Sequence, residues 1–237
     1  MKWRFLSERI SSMLHLTVAP IAITFSDAPP DGVEAFAEPM PDPAPDGRTG
    51  RVPAGCVFWV KSLEKTFTTA PDDHGNCSVG SLTHGLKSLD QIGANGDVAA
   101  LLETGWATLD MVSGLPRVSG SPAAVTYGPL AETPIDPDVV LIRLNAKALM
   151  VLSDALPGLR IEGKPQCHIV AEAKENGETV ASVGCMLSRT RTGMPSSDLT
   201  CAIPAGRLEA VVEQVENTAK ADAAVASYAA ADATRFA

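Results

Sequence analysis

The sequence predicts one mixed α/β (α+β) domain with a mixed β-sheet flanked by helices, and two pseudo-symmetric halves as a further option. Three observations lead there. The 237 residues are 45% apolar and 20% charged, the balance of a chain that packs a core. Short β-branched runs at 20–25 and 138–144 read as buried strands, and between them lie stretches whose apolar residues recur at helical spacing. A domain of this size buries roughly 70% of its unfolded surface and needs neither metal nor disulfide merely to fold.

In chain order, Leu6, Ile10, Met13 and Leu14 predict an amphipathic helix over 4–16, followed by the strand Pro20–Phe25. Seven prolines between Asp27 and Pro53 predict a long exposed loop, placed to cover a site. The spacing of Cys56, Val60 and Leu63 favours a helix; a turn at 71–76 delivers Cys77, and Val79, Leu82, Leu86 and Leu89 mark the next helix. A helix over 97–104 takes Asp97 as its cap, and a Gly/Pro/Ser-rich connection at 113–122 leads to strands at 123–127 and 138–144. A helix at 146–156 stops at Pro157-Gly158. The runs 167–171 and 179–183 flank Glu175-Asn176-Gly177-Glu178, a strong hairpin signal that would bring Cys167 and Cys185 together. A strand at 199–203 and a helix at 205–217 complete the domain, 1–219, and the alanine-rich tail 220–237 reads as a frayed helix.

Nineteen basic against 28 acidic residues give a net charge of −9, with no basic block. Such a surface repels phosphodiester backbones, which argues against nucleic acid as a partner. Polar residues interrupt the N-terminal apolar run before it reaches signal-peptide length, and no stretch approaches the roughly 20 residues of a membrane span, so a cytoplasmic location is expected. Thiols stay reduced there, and the cysteines become candidate ligands, nucleophiles or core residues rather than disulfides.

No CxxC or HExxH occurs, so a metal site would have to be assembled from distant segments. Cys56 follows Gly55, Cys77 follows Gly75-Asn76, and Cys185 follows Gly184; glycine beside cysteine lets backbone amides approach an inorganic centre. With Cys167 the set is four thiols, suited to a [4Fe–4S] cluster or to tetrahedral zinc. The separations within the pairs 56/77 and 167/185 are 21 and 18 residues, each pair preceded by a proline-led strand, which is what an internal duplication about a pseudo-twofold axis would leave. Cys201 alternates with apolar neighbours and reads as core. His74 and His84, close to Cys77, are candidates for proton transfer or ligation. Arg189 and Arg191, in a polar loop after Cys185, are candidates for gripping a carboxylate or phosphate. No Walker loop or dinucleotide fingerprint is present.

The series Pro20-Ile21-Ala22-Ile23, Gly55-Cys56, His74-Gly75-Asn76-Cys77-Ser78-Val79-Gly80, Pro129-Leu130, Pro137-Asp138-Val139-Val140, Gln166-Cys167 and Ser182-Val183-Gly184-Cys185 resembles a widespread bacterial and archaeal family of uncharacterised function, the ArCR family. The resemblance spans about 6–217. It implies that the cysteines at 56, 77, 167 and 185 recur while position 201 does not demand one, and so an iron–sulfur or other metal site; it carries no activity. The proline-rich 27–53 loop is this chain's main departure. Three functions follow as expectations: an iron–sulfur or metal enzyme of redox or lyase type acting on a small anionic substrate; a non-catalytic module holding zinc or a soft metal; or a metal-free thiol enzyme using Cys77. Electron donor and oligomeric state are not legible.

Overall fold

A computed structural model describes residues 1–93 and 96–236. Strands β1 (Ile21–Ser26), β2 (Phe67–Thr69), β3 (Ala124–Pro129), β4 (Val139–Leu144), β5 (Arg160–Glu162), β6 (Val180–Ser182) and β7 (Leu199–Pro204) form one sheet in the order β2-β3-β1-β4-β7-β6-β5. Only β5 and β6 run parallel; the other pairings are antiparallel. The helices are α1 (Lys2–Leu14), α2 (Cys56–Lys61), α3 (Ser78–Thr83), α4 (Leu89–Gly93), α5 (Gly96–Glu103), α6 (Leu109–Ser113), α7 (Ala146–Ala155), α8 (His168–Asn176), α9 (Met186–Thr192) and α10 (Leu208–Ala233).

The period-2 alternation of the strands sends successive side chains to opposite faces, and both faces are covered. Ala22, Val140, Ile142, Leu144, Cys201 and Ile203 meet the apolar stripes of α1, α7 and α10. Ile23, Val125, Tyr127, Leu141, Val180 and Ala202 meet α2 and α8. A small satellite core of Leu82, Ile92, Val98, Ala107 and Val112 holds α3 to α6. Cys201 lies wholly inside the first layer, as its alternation required.

The central pairing reads the same in both directions: Ile21 opposes Leu141, Ala22 opposes Val140 and Ile23 opposes Val139. A twofold axis through the Ala22/Val140 pair therefore exchanges β1 with β4. It carries β3 onto β7, since Ile21 opposes Pro129 as Val139 opposes Pro204. It carries β2 onto β6, since Phe67 opposes Tyr127 as Val180 opposes Ala202. Pro129 and Pro204 each lead into a 3-10 turn, Leu130–Glu132 and Ala205–Arg207. By the same operation α2 corresponds to α8 and α3 to α9, and each member packs on the other half's helix: α2 on α9, α3 on α8. Strand β5 is answered by a single parallel bridge, Ala35 to Thr68, since Thr68 corresponds to Ala181, which pairs with Ile161.

Several expectations are corrected. The 167–183 segment is not a hairpin: α8 occupies 168–176, and Gly177, at φ 66°, ends that helix in the left-handed region. Asn-Gly serves helix termination as well as it serves a tight turn, and the apolar spacing that looked like a strand is the buried face Ile169, Val170, Ala173. The polar loop expected at 189–193 is the last turn of α9 and its cap. Asp97 does not cap its own helix; its carboxylate accepts from Ser78 N at 3.2 Å and Ser78 Oγ at 2.5 Å, tying α5 to the start of α3. The alanine-rich tail continues α10 to Ala233. The proline-rich segment remains largely without regular structure but is anchored, with Phe36 and Val52 in the second core and Arg51 paired with Asp73 at 2.7 Å.

Candidate metal centre

Four chain segments deliver the cysteines, and the twofold relates them in pairs. Cys56 opens α2 and its counterpart Cys167 immediately precedes α8; Cys77 and Cys185 are the N-caps of α3 and α9. Both cap residues are extended, and a left-handed glycine follows each helix, Gly85 at φ 70° and Gly193 at φ 66°. The four thiols line a single cavity with Ala54, Gly80, His84, Trp106, Gln166 and Arg191 among its other walls. This is the juxtaposition the sequence proposed, reached through helix starts rather than through the ends of a hairpin.

Hydrogen-bond donors surround the sulfurs. Ser188 N donates to Cys185 Sγ at 3.4 Å, and in the other half the equivalent Gly80 N–H, with Gly55 N–H, favours the Cys77 thiolate. The Ser188 hydroxyl does the same for Cys56 and the Thr83 hydroxyl for Cys167. A Cβ at Gly80 would stand 3.0 Å from Cys77 Sγ, so glycine there opens the approach of backbone to sulfur.

Burial dominates the acid–base state of Cys56, Cys77, Cys167 and Tyr127. It pushes Cys56 up to about 12, with Cys77 and Cys185 adding to the rise and Ser188 and Arg191 opposing it. Burial also raises Cys77, against the pull of the Gly80 N–H, and raises Cys167 well above the usual thiol range, where neighbouring Cys77 adds to it. Tyr127 is raised chiefly by burial and then by Cys56 and Cys167. Mutually repelling thiolates out of water are stable only beside a compensating cation.

Of the two histidines, His84 lines the cavity, its Nδ1 3.3 Å from Thr83 Oγ1 and its Nε2 buried with no partner. Burial brings it down to about 4. His74 sits one layer further in, against Phe58, with Nε2 2.9 Å from Thr69 Oγ1. The two arginines also separate. Arg191 lines the cavity. Arg189 turns away, donating to the carbonyls of Pro195, Val183 and Asp198 at 2.7, 2.7 and 2.8 Å, and so braces α9. Gln166, Ser188 and Thr83 were not singled out from the sequence; a polar residue beside each cysteine, or at helical spacing from one, was the available signal.

The cavity thus gathers four thiols, amide and hydroxyl donors near the sulfurs, a cation at the wall and one buried polar atom without a partner, His84 Nε2. Among the described residues, no group of three or more His, Cys, Asp or Glu side chains that could hold a metal ion is found. No helix among them is long and apolar enough to cross a membrane.

Residues 9–214 match the model of the family described as uncharacterised ArCR. No curated protein and no solved structure matches the chain.

Proposed function

We propose that this chain, which belongs to the ArCR family, holds a [4Fe–4S] cluster on Cys56, Cys77, Cys167 and Cys185 and is an enzyme of redox or lyase type acting on a small anionic substrate. The observation that carries this reading is the convergence of four thiols, from four separate segments, on one cavity. Bound there, the cluster would supply one-electron transfer or, if one thiol does not ligate, a Lewis-acidic iron.

The remaining residues have roles that follow from their positions. Amide and hydroxyl donors from Gly55, Gly80, Thr83 and Ser188 stabilise charge on sulfur, which raises the potential of an iron–sulfur centre. Arg191 is the cation placed to orient an anion at the cavity wall, and Arg189 holds the helix that presents it. His84 is the group whose free nitrogen can exchange a proton inside the site; His74 supports Gly55 from behind, its Nδ1 lying 3.1 Å from where a Cβ on that glycine would be. Zinc on the same thiols, in a non-catalytic module, is the alternative that metal analysis separates. Burial holds Cys77 above the ordinary thiol range, the opposite of what a metal-free nucleophile requires.

Purification under argon tests the reading. The expected product is brown, absorbs broadly near 400 nm and carries about four iron with matching acid-labile sulfide. One zinc per chain without iron supports the binding module instead. Metal-free protein in which Cys77 alone alkylates rapidly supports the thiol enzyme.

A further inference from the structure

A polar departure from the twofold lies beside Cys56. A second cavity, of about 20 Å³, shares Cys56 and Gln166 with the cysteine cavity and is otherwise walled by residues that include Trp59, Thr200, Arg143 and Met194. Three buried polar atoms of its lining have no partner: Trp59 Nε1, Thr200 Oγ1 and Gln166 Oε1. Their residues are 4%, 4% and 2% exposed. A buried polar atom left unbonded costs about 1–3 kcal/mol, and three around one small space are not explained by packing.

The positions related by the twofold are apolar. The counterpart of Trp59, three residues after the cysteine, is Val170; that of Thr200 is Val125; and that of Gln166, immediately before the cysteine, is Gly55. Val170 and Val125 belong to the apolar core, and the space beside Gly55 is filled by the His74 imidazole. All three polar positions around one cavity are thus apolar or without a side chain in its mate.

We propose that the cavity behind Cys56 is a binding site for one water molecule, held by Trp59 Nε1, Thr200 Oγ1 and the free end of the Gln166 carboxamide. The volume decides the ligand class, since one water needs roughly 10–15 Å³ of such space and three partners is the usual number for a buried water. Trp59 can only donate, so the ligand must accept; Thr200 and Gln166 can receive its two protons. Turning the carboxamide over exchanges its ends but still leaves one for the cavity.

The site also acts on the centre. The other end of Gln166, Nε2, donates to Ser188 Oγ at 2.5 Å, and Ser188 lines the cysteine cavity together with Cys56. The water fixes Gln166, and Gln166 fixes the Ser188 hydroxyl at the wall of the cysteine cavity. Trp59, Thr200 and Gln166 are therefore positioning residues for one cysteine of the four. This last link rests on Cys56 being a ligand; the water site does not.

A crystal structure of the wild-type protein, and of Thr200→Val and Trp59→Phe, tests the two parts separately. One density peak within about 2.7–3.2 Å of the three atoms is expected in the wild type, and its loss in Trp59→Phe. Thr200→Val is isosteric and keeps the fold testable if Trp59→Phe does not fold. The link is read in either variant. In iron-loaded protein the reduction potential should fall. A dry wild-type cavity overturns the water site even if iron is present. Water with an unchanged potential overturns the link. Water with no metal leaves this site standing and removes the proposed function.

Discussion

In the half built from β1, β2 and β3, the helix that follows the first cysteine lays Phe58 and Trp59 against the sheet; in the half built from β4, β6 and β7 the same two positions hold Ile169 and Val170. Phe58 stacks on Tyr127 at 5.7 Å, meets Phe36 edge-on at 5.0 Å and touches the His74 ring at 4.7 Å. The second half answers with aliphatic side chains, and the partner of Tyr127 under the twofold is Ala202. Strand register, cysteine positions and helix ends are common to the two halves, whereas bulk, histidines and basic residues are not. A backbone operation thus gathers two equivalent pairs of sulfurs, and unlike side chains make the two ends of the resulting cavity chemically different. Arg191 stands where the first half has Thr83, and Thr192 where it has His84.

The largest expected effect tests what the halves share. Changing any one of Cys56, Cys77, Cys167 and Cys185 to alanine should abolish stable metal content, members of a pair behaving alike, while Cys201→Ala, on the opposite face of the sheet, retains it. Iron and zinc analysis of the five variants decides; retention in any of the four would break the equivalence. Packing comes next. Phe58→Ala should cost about 3–5 kcal/mol, at or above the roughly 2–5 kcal/mol of its counterpart Ile169→Ala, read by urea titration; a smaller loss at Phe58 would show that the aromatic cluster relaxes around the hole.

His84 has no histidine counterpart, so acid should act through the first half. Its value is about 4 when folded against 6.5 as an ordinary imidazole, because burial disfavours the cation. Its contribution is present in full above 6.5 and is lost as pH falls from there toward 4. At pH 5 the loss is about 2 kcal/mol. Thermal melts of metal-free protein at pH 7 and 5 should show a smaller difference in His84→Gln than in the wild type; an unchanged difference would place the acid sensitivity elsewhere. The smallest effect lies at the paired glycines. Gly193→Ala meets no atom within 4 Å and loses only the left-handed preference, about 1–2 kcal/mol. Gly85→Ala adds a Cβ 2.3 Å from the Val118 carbonyl and should melt lower than its counterpart.

Much of this was legible before any coordinates. The strands at 21–26, 139–144 and 199–204 are largely buried and rich in apolar residues, which made them readable as strands. The cysteine set was visible through its glycine neighbours and its paired spacing. The short strands β2 and β5, of three residues each, were missed because so few residues carry no periodicity. The false hairpin came from Asn176-Gly177, where a left-handed glycine suits both a tight turn and a helix end. Sequence also grouped Arg189 with Arg191. Two residues apart on a helix they point to different sides, one to the cavity and one to the carbonyls of Val183, Pro195 and Asp198. Gln166 and Trp59 gave no sign of their shared cavity, because a buried orphan is a property of three segments meeting.

Anomalous diffraction from crystals of anaerobically purified protein tests the central claim most directly. The expected result is one compact metal peak on the pseudo-twofold side shared by α2, α3, α8 and α9, bonded to the sulfurs of Cys56, Cys77, Cys167 and Cys185. Four protonated thiols with ordinary van der Waals neighbours and no peak between them, in protein prepared without air, would contradict it.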